Sequence, residues 1–417
     1  MKDVVIVSGV RSPVGRYLGA LKEVPAYDLA ALVLDEAVRR AGIEPGKVDQ
    51  VVMGQSYQNG EYVNIARMAP LKAGWPEGVP GVTLDSRCCT GLEVVRYAAA
   101  LVSSGQAEIV VAGGAESMSN AEFYLPGSLK WGIGGSKGMP KGHGDLSMWG
   151  VPLYDRIQRA RVMSQPEERY GILPAMMSWA ETAAEEHGIT REQCDQWSVE
   201  SHHKACAAAQ DGKFAEEMVP VTIPQTKGPP IVVDRDENPR PETTLEKLAR
   251  LKPVLGGVCT AGNSSTENDG AAAVVVTSVS KAAELGVSPL AVFKSCASAG
   301  DDPRMAYKAV PRAVDKAMKT AGLSLADLDL IEIQEAFAAQ VLADLTEMGV
   351  KPEDYVKVNV NGSGISLGHP IACTGTRVLV TLLHEMKRRG ARYGLECICG
   401  GGGLGIAAVL ERNQRWE

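Results

Sequence analysis

The sequence predicts an α/β protein made of two homologous halves, with a separate lobe inserted between the repeated units. Three observations carry that prediction. Asp35–Gln55 (DEAVRRAGIEPGKVDQVVMGQ) aligns without gaps with Asp315–Glu335 (DKAMKTAGLSLADLDLIEIQE), sharing Asp35/Asp315, Ala37/Ala317, Ala41/Ala321, Gly42/Gly322 and Asp49/Asp329. In the same order, Cys89-Thr90-Gly91 recurs as Cys373-Thr374-Gly375. Glu108-Ile109-Val110-Val111 ahead of Gly113-Gly114 then recurs as Glu396-Cys397-Ile398-Cys399 ahead of a glycine run. Matches that keep one order mark a repeated structural unit. Composition agrees, since 45 glycines with only 5% aromatic residues suit a tightly turned α/β chain.

The elements follow along the chain. Val4-Val5-Ile6-Val7 reads as a strand, and each long repeat reads as an amphipathic helix, a stop at Ala-Gly and a buried strand. Around Thr83–Cys88 a strand gives way to a helix whose apolar stripe is Leu92, Val95, Ala99 and Val102, ended by Ser103-Ser104-Gly105. Residues 1–120 are therefore the first half. Residues 121–245 read as the inserted lobe: 125–145 is rich in glycine, 220–241 holds six prolines, and Ile189–Gly212 is a polar, helix-like stretch. Loops of this length are functional or disordered, and the apolar content here favours a folded lid. Residues 246–285 complete the first half, and 286–417 form the second.

Bulk properties narrow the function. A net charge of −7 gives no electrostatic reason to expect nucleic acid or an anionic membrane as partner. No apolar run approaches the roughly 20 residues that span a bilayer. Nine cysteines, an odd number without small-domain disulfide spacing, point to free thiols in a reducing compartment. The first residues lack the basic start and long apolar core of a secretory signal, and Arg415-Trp416-Glu417 is not a peroxisomal address. The expectation is a cytoplasmic protein.

Three segments carry chemistry. Cys88-Cys89 stands where a strand meets a helix, and the positive end of a helix dipole favours thiolate. The alternative is two small residues packing a strand end. His369 sits among glycines in Gly362-Ser363-Gly364-Ile365-Ser366-Leu367-Gly368-His369-Pro370, where proline disfavours helix at the histidine. Such an imidazole is suited to act as base or donor, and a solvated loop histidine is the competing reading. Cys399 precedes Gly400-Gly401-Gly402-Gly403, a run that lets backbone N–H groups approach an anion. Cys397 and Cys399 share one strand face, but no second pair with ligand spacing exists, so no metal is expected. His202-His203 read as solvent-facing, and Cys194, Cys206, Cys259 and Cys296 as filler.

Taken together, these segments resemble the thiolase family over essentially the whole chain. Cys88-x-Thr90-Gly91-Leu92 resembles its nucleophile motif, and Gly113-Gly114-Ala115-Glu116-Ser117-Met118-Ser119 a second signature with Ala115 in place of the usual methionine. Gly368-His369-Pro370 and Cys399-x-Gly401-x-Gly403 resemble the C-terminal signatures, the glycines selecting Cys399 over Cys397. The resemblance implies a five-layer α-β-α-β-α core with an inserted loop domain and a homodimer or homotetramer. It further implies acyl-CoA and CoA as substrates with no separate cofactor. It gives Cys88 the acyl group, His369 its deprotonation and one oxyanion hole, and Cys399 the second proton. The N–H groups of Cys88 and Gly401 would form the other oxyanion hole. For coenzyme A it implies contacts at Arg240, Ser265, Ala336 and Phe337.

Three departures bear on substrate. Gln334 replaces an asparagine that positions a water. Glu267 stands where an apolar residue is usual. The 140–180 stretch, with Trp149, Tyr154, Met163, Met176, Met177 and Trp179, is long. A ketoacyl-synthase-like condensing enzyme is an alternative, but it would need a second histidine, or histidine with asparagine, and lacks the Cys399 acid/base. A non-catalytic CoA-binding subunit would be expected to lose one reactive residue, and all three are present.

Overall fold

The computed structural model describes residues 3–127 and 152–412; the expectations on Trp149 and on 128–151 of the glycine-rich stretch lie outside them. The first half comprises β1 (Val4–Arg11), α1 (Ala26–Arg40), β2 (Gln50–Gly54), β3 (Gly81–Leu84), α2 (Thr90–Ser104) and β4 (Ile109–Ser117). After the lobe, which includes α3 (Arg156–Val162) and α4 (Arg191–Gln210), β5 (Asn268–Ser278) completes it. The second half comprises β6 (Ala291–Gly300), α5 (Ala309–Ala321), β7 (Leu330–Ile333), α6 (Ala338–Met348), α7 (Ile371–Arg389), β8 (Tyr393–Gly400) and β9 (Leu404–Glu411).

Strand order shows the duplication directly. The first sheet runs β1-β5-β4-β2-β3 and the second β6-β9-β8-β7. In both, the two pairings nearest the shared edge are antiparallel and the next is parallel. The second half's counterpart of β3 shrinks to one parallel bridge between Ile331 and Val358. A short pairing of Val5 with Val292 and Ile6 with Ala291 joins the sheets at their edges.

Three apolar cores separate five layers. One lies between α1 and the outer face of the first sheet. The central one holds α2 and α7 between the sheets, and the third lies under α5 and α6. This is the predicted α-β-α-β-α stack. The repeated Cys-Thr-Gly tripeptides lie where α2 and α7 cross, and Gly91 and Gly375 face one another there. A Cβ on Gly91 would stand 2.6 Å from the Thr376 nitrogen and 2.8 Å from that of Gly375. Only the missing side chains let these backbones meet.

One predicted correspondence needs correcting. Gln50 pairs with Val110, and its repeat equivalent Leu330 pairs with Gly394. The counterpart of Glu108 is therefore Arg392, four positions before Glu396. A slip of four keeps every side chain on its own sheet face, because strand side chains alternate with period two. The apolar pattern alone does not reveal it.

Candidate active site

Cys88 is presented by a strained turn between β3 and α2. Asp85 accepts from the Arg87 N–H (2.8 Å), Thr90 Oγ1 accepts from the Ser86 N–H (2.6 Å), and the Cys89 N–H donates to Ser86 O (3.1 Å). This winding drives Arg87 to φ 54, a left-handed conformation unusual for a side chain with a Cβ. Its guanidinium reaches across to donate to Ala160 O of α3 (2.6 Å), tying the turn to the lobe. Cys88 is half-buried and opens on a cavity of about 250 Å³.

His369 reaches the same cavity from the second half. Gly368 before it adopts φ 97, and a Cβ there would stand 2.5 Å from Asn268 Oδ1. That oxygen accepts the His369 N–H at 2.8 Å, so the turn needs glycine for both conformation and room. The imidazole Nδ1 lies 2.7 Å from Thr374 Oγ1, whose own hydrogen goes to Pro370 O at 3.0 Å. A hydroxyl has one proton to give. Thr374 therefore accepts from Nδ1–H, leaving the Nε2 lone pair free. Nε2 is buried and has no protein partner among the described residues. Burial, with the charges of Arg377 and Arg161 adding to it, pushes this imidazole down to about 3, so it is neutral across the physiological range.

The two thiols differ in setting. Burial raises Cys88 above the ordinary thiol range, opposed by Arg87 and by the backbone N–H groups of Gly401 and of Cys88 itself. The expected thiolate-favouring effect of the helix start is outweighed: α2 begins only at Thr90, and desolvation inside the cavity is the larger influence. Cys399 is buried on β8 and held well above its ordinary range by desolvation, and its thiol faces the same cavity. Cys397 shares its strand face, as expected, but is fully buried in the outer core and does not line the cavity. The glycine run forms the turn from β8 to β9, with Gly402 and Gly403 at φ 88 and 78. Cys89 Sγ donates to Ile398 O (3.6 Å), seating the nucleophile turn on this hairpin.

Most predicted residues converge. Cys88, His369, Cys399, Gly401, Ser265, Ala336 and Phe337 line one cavity. Ser265 and the Ala336-Phe337 pair meet through the backbone, Ser265 N–H donating to Ala336 O at 2.9 Å. Arg240 lines a neighbouring cavity that shares Ser264 and Thr266 with the first.

One residue stands apart from the cavity wall and one expectation is corrected. Gln334, whose longer side chain would shift the water that an asparagine holds or replace it by its own amide, is fully buried and does not line the cavity. Its amide lies against Gly364, and neither amide atom has a protein partner among the described residues. The longer side chain lodges over the glycine instead of reaching the wall. His202 is not solvent-facing: it is buried, accepts the Arg240 N–H at 3.2 Å, and burial lowers it to about 4.

Sequence reasoning missed the supports. Glu116, fully buried, accepts from Ser56 N–H (3.1 Å), Tyr57 N–H (3.0 Å) and Ala372 N–H (3.1 Å), clamping the start of α7 beside His369. Glu335 accepts from Trp197 Nε1 (3.0 Å), Ser201 Oγ (2.7 Å), Asn359 Nδ2 (3.0 Å) and Ile365 N–H (3.1 Å), binding α4 to the histidine loop. Glu116 stood inside the Gly113–Ser119 signature, and Glu335 ended the second repeat. Those positions were the only available signal.

Comparison with known proteins agrees with this geometry. The family model described as thiolase, N-terminal domain, matches residues 4–280, and thiolase, C-terminal domain, matches 287–412. An acetyl-CoA acetyltransferase of Cupriavidus necator is 46% identical over 414 residues, spanning 99% of this chain and 100% of that protein. The crystal structure of the Bacillus anthracis acetyl-CoA acetyltransferase superposes with TM-score 0.89 at 40% identity, covering 99% of each chain. That of human mitochondrial 3-ketoacyl-CoA thiolase gives 0.88 at 32%, again covering 99% of each.

Proposed function

The chain belongs to the thiolase family, and on that premise we propose how its cavity performs acyl transfer. The protein is a thiolase-type acyltransferase with acyl-CoA and CoA as substrates. It cleaves a 3-ketoacyl-CoA with CoA, or runs the reverse Claisen condensation of an acyl-CoA with acetyl-CoA. The observation that supports our assignment of roles is the meeting of Cys88, His369, Cys399 and Gly401 on one cavity.

In cleavage, His369 Nε2 takes the Cys88 proton as the sulfur attacks the 3-keto carbonyl. The bond between C2 and C3 then breaks. The acyl group stays on Cys88 as a thioester, and the departing acetyl-CoA enolate takes its proton from Cys399. A thiol held protonated by burial is a ready donor to a carbanion-like enolate. CoA next attacks the acyl-enzyme and gives its thiol proton to the Cys399 thiolate, while His369 returns the first proton to the departing Cys88 sulfur, so that both cysteines are restored. The Cys88 and Gly401 N–H groups stabilise one developing oxyanion, each such donor being worth ~3 kcal/mol. His369 serves the other, with Gln334 contributing only through water because its amide stands behind the wall. Ser265, Ala336 and Phe337 line the pantetheine path, and Arg240 meets the nucleotide end.

For the acyl group we favour a chain longer or bulkier than acetoacetyl. Met118, Met176, Met177 and Trp179 give the cavity an adaptable apolar wall. We place the protein in the cytoplasm as a homodimer or homotetramer in fatty acid metabolism; among the described residues no helix is long and apolar enough to cross a membrane. A panel of 3-ketoacyl-CoA substrates assayed for CoA-dependent cleavage tests the reading. Full turnover by Cys88→Ala would remove the nucleophile assignment. Acetoacetyl-CoA outperforming every longer chain by about tenfold in kcat/KM would remove the acyl preference.

A further inference from the structure

The catalytic cavity carries an ion pair that the acyl-transfer chemistry does not use. Arg161, near the end of α3, pairs with Glu267, and both line the cavity. Glu267 lies beside His369 in the backbone, the two forming an isolated parallel bridge. The pair therefore spans from the lobe to the histidine turn. Helix α3 is also held at Ala160 by Arg87, the residue before the nucleophile. Arg161 and Glu267 side chains retain 34% and 19% exposure, so the pair lies on the cavity wall and not in the core. Arg161 is close enough to act on the imidazole of His369.

The rest of the wall makes this pair conspicuous. Among the described lining residues the charged side chains are Arg87, Arg161 and Glu267. Arg87 spends a guanidinium nitrogen on Ala160 O. Around them the wall is largely apolar, with Met118, Val162, Met176, Met177, Phe337 and Ile371. Without Glu267, Arg161 would be a cation without this counterion on the wall of the cavity that the acyl chain must enter, and a carboxylate on that chain would be its natural partner. With Glu267 in place the cation is already satisfied, and an incoming carboxylate meets a like charge. Specificity of this kind works by exclusion as much as by attraction.

We propose that the Arg161–Glu267 pair is the charge filter of the acyl chamber: it admits methyl-ended 3-ketoacyl chains and turns away those ending in a carboxylate, with Glu267 the specificity-determining residue. The proposal rests on the thiolase reading of the cavity. The test compares kcat/KM for CoA-dependent cleavage of methyl-ended and carboxylate-ended 3-ketoacyl-CoA of matched chain length. The wild type should favour the methyl-ended substrate. Glu267→Gln, close to isosteric, should shift the ratio toward the carboxylate-ended substrate by about tenfold or more. Arg161→Gln, which leaves Glu267 uncompensated, should shift it the other way, and the double variant should return near the wild-type ratio. The two single variants are independent arms, so failure of one to fold leaves the other decisive. Equal changes for both substrates would place the pair on the shared CoA arm and overturn the filter. So would a wild type that already prefers the carboxylate. A wild type that cleaves neither substrate would instead overturn the thiolase reading, and the filter with it.

Discussion

Replacing Thr374 with valine isolates the device that fixes the tautomer of His369. Valine keeps the shape of threonine and removes the acceptor that takes the Nδ1 hydrogen at 2.7 Å. The hydrogen on Nδ1 is then buried without a partner, which costs about 1–3 kcal/mol. The ring escapes that cost by moving its proton to Nε2, but that tautomer cannot accept from Cys88. The productive form therefore falls in population by the same free energy, roughly 5- to 150-fold at about 1.4 kcal/mol per factor of ten. The assay is single-turnover acylation of Cys88 from an acyl-CoA, followed by intact-protein mass, at a pH where the wild-type imidazole is neutral. Thr374→Ser keeps the hydroxyl and should recover most of the rate. The reasoning is refuted if Thr374→Val acylates as fast as wild type while retaining its thermal stability.

Four further outcomes follow from the same geometry. Because His369 is held near 3 and Cys88 above its ordinary range, the resting pair is neutral. Iodoacetamide inactivation should then climb with pH through and beyond about 8.5, and a plateau between roughly pH 5 and 7 would reveal a thiolate–imidazolium pair instead. Cys399→Ser should still acylate Cys88 but fail to exchange the α-protons of acetyl-CoA, whereas Cys397→Ser should exchange them; the reverse pattern would exchange the two assignments. Gln334→Ala should lower kcat by less than the roughly 10²-fold of a direct oxyanion donor, with little change in KM, and a larger loss would place its amide in the cavity after all. Gly91→Ala should destabilise by about 1–3 kcal/mol or more from overpacking, read as a lowered Tm; an unchanged Tm would mean that the α2–α7 crossing can widen.

What the sequence made legible was what depends on local pattern. Two helix–strand repeats, a cysteine before a helix, a histidine before Pro370 and glycines after Cys399 each leave a signature in one continuous stretch of chain. The supports leave none. Thr374 stands inside the repeated Cys-Thr-Gly and read only as part of a helix start. That it meets the His369 ring follows from α7 starting directly after Pro370. Glu116 gathers N–H groups from Ser56, Tyr57 and Ala372, a set that exists only once both halves are folded. The direction of Gln334 is illegible for a related reason, since it depends on the open space over Gly364, which lies thirty positions on. Hydrogen-bond partners across such separations are a property of the tertiary structure, and a single sequence offers no period by which to find them.

The duplication also explains why the chemistry is divided between the halves. Helices α2 and α7 cross at Gly91 and Gly375, close enough that both N-terminal ends open on one cavity. Cys88 lies two residues before the first residue of α2, and His369 two before the first residue of α7. Each half thus supplies one turn ahead of a helix, with a thiol on the first and an imidazole on the second, and both side chains line the cavity. The third group breaks this symmetry. By the strand registers, Gln50 with Val110 and Leu330 with Gly394, the counterpart of Cys399 in the first half is Ala115, buried and paired with Ala271 in mid-sheet. There β4 continues through Glu116 and Ser117, so the Glu116 carboxylate can act as a clamp. In the second half β8 ends at Gly400 and turns through Gly402 and Gly403. That early turn brings Gly401 to the cavity that Cys88 lines and leaves the Cys399 thiol at the same wall. One half therefore spends its strand end on rigidity, and the other spends the equivalent positions on the second thiol and its oxyanion donor.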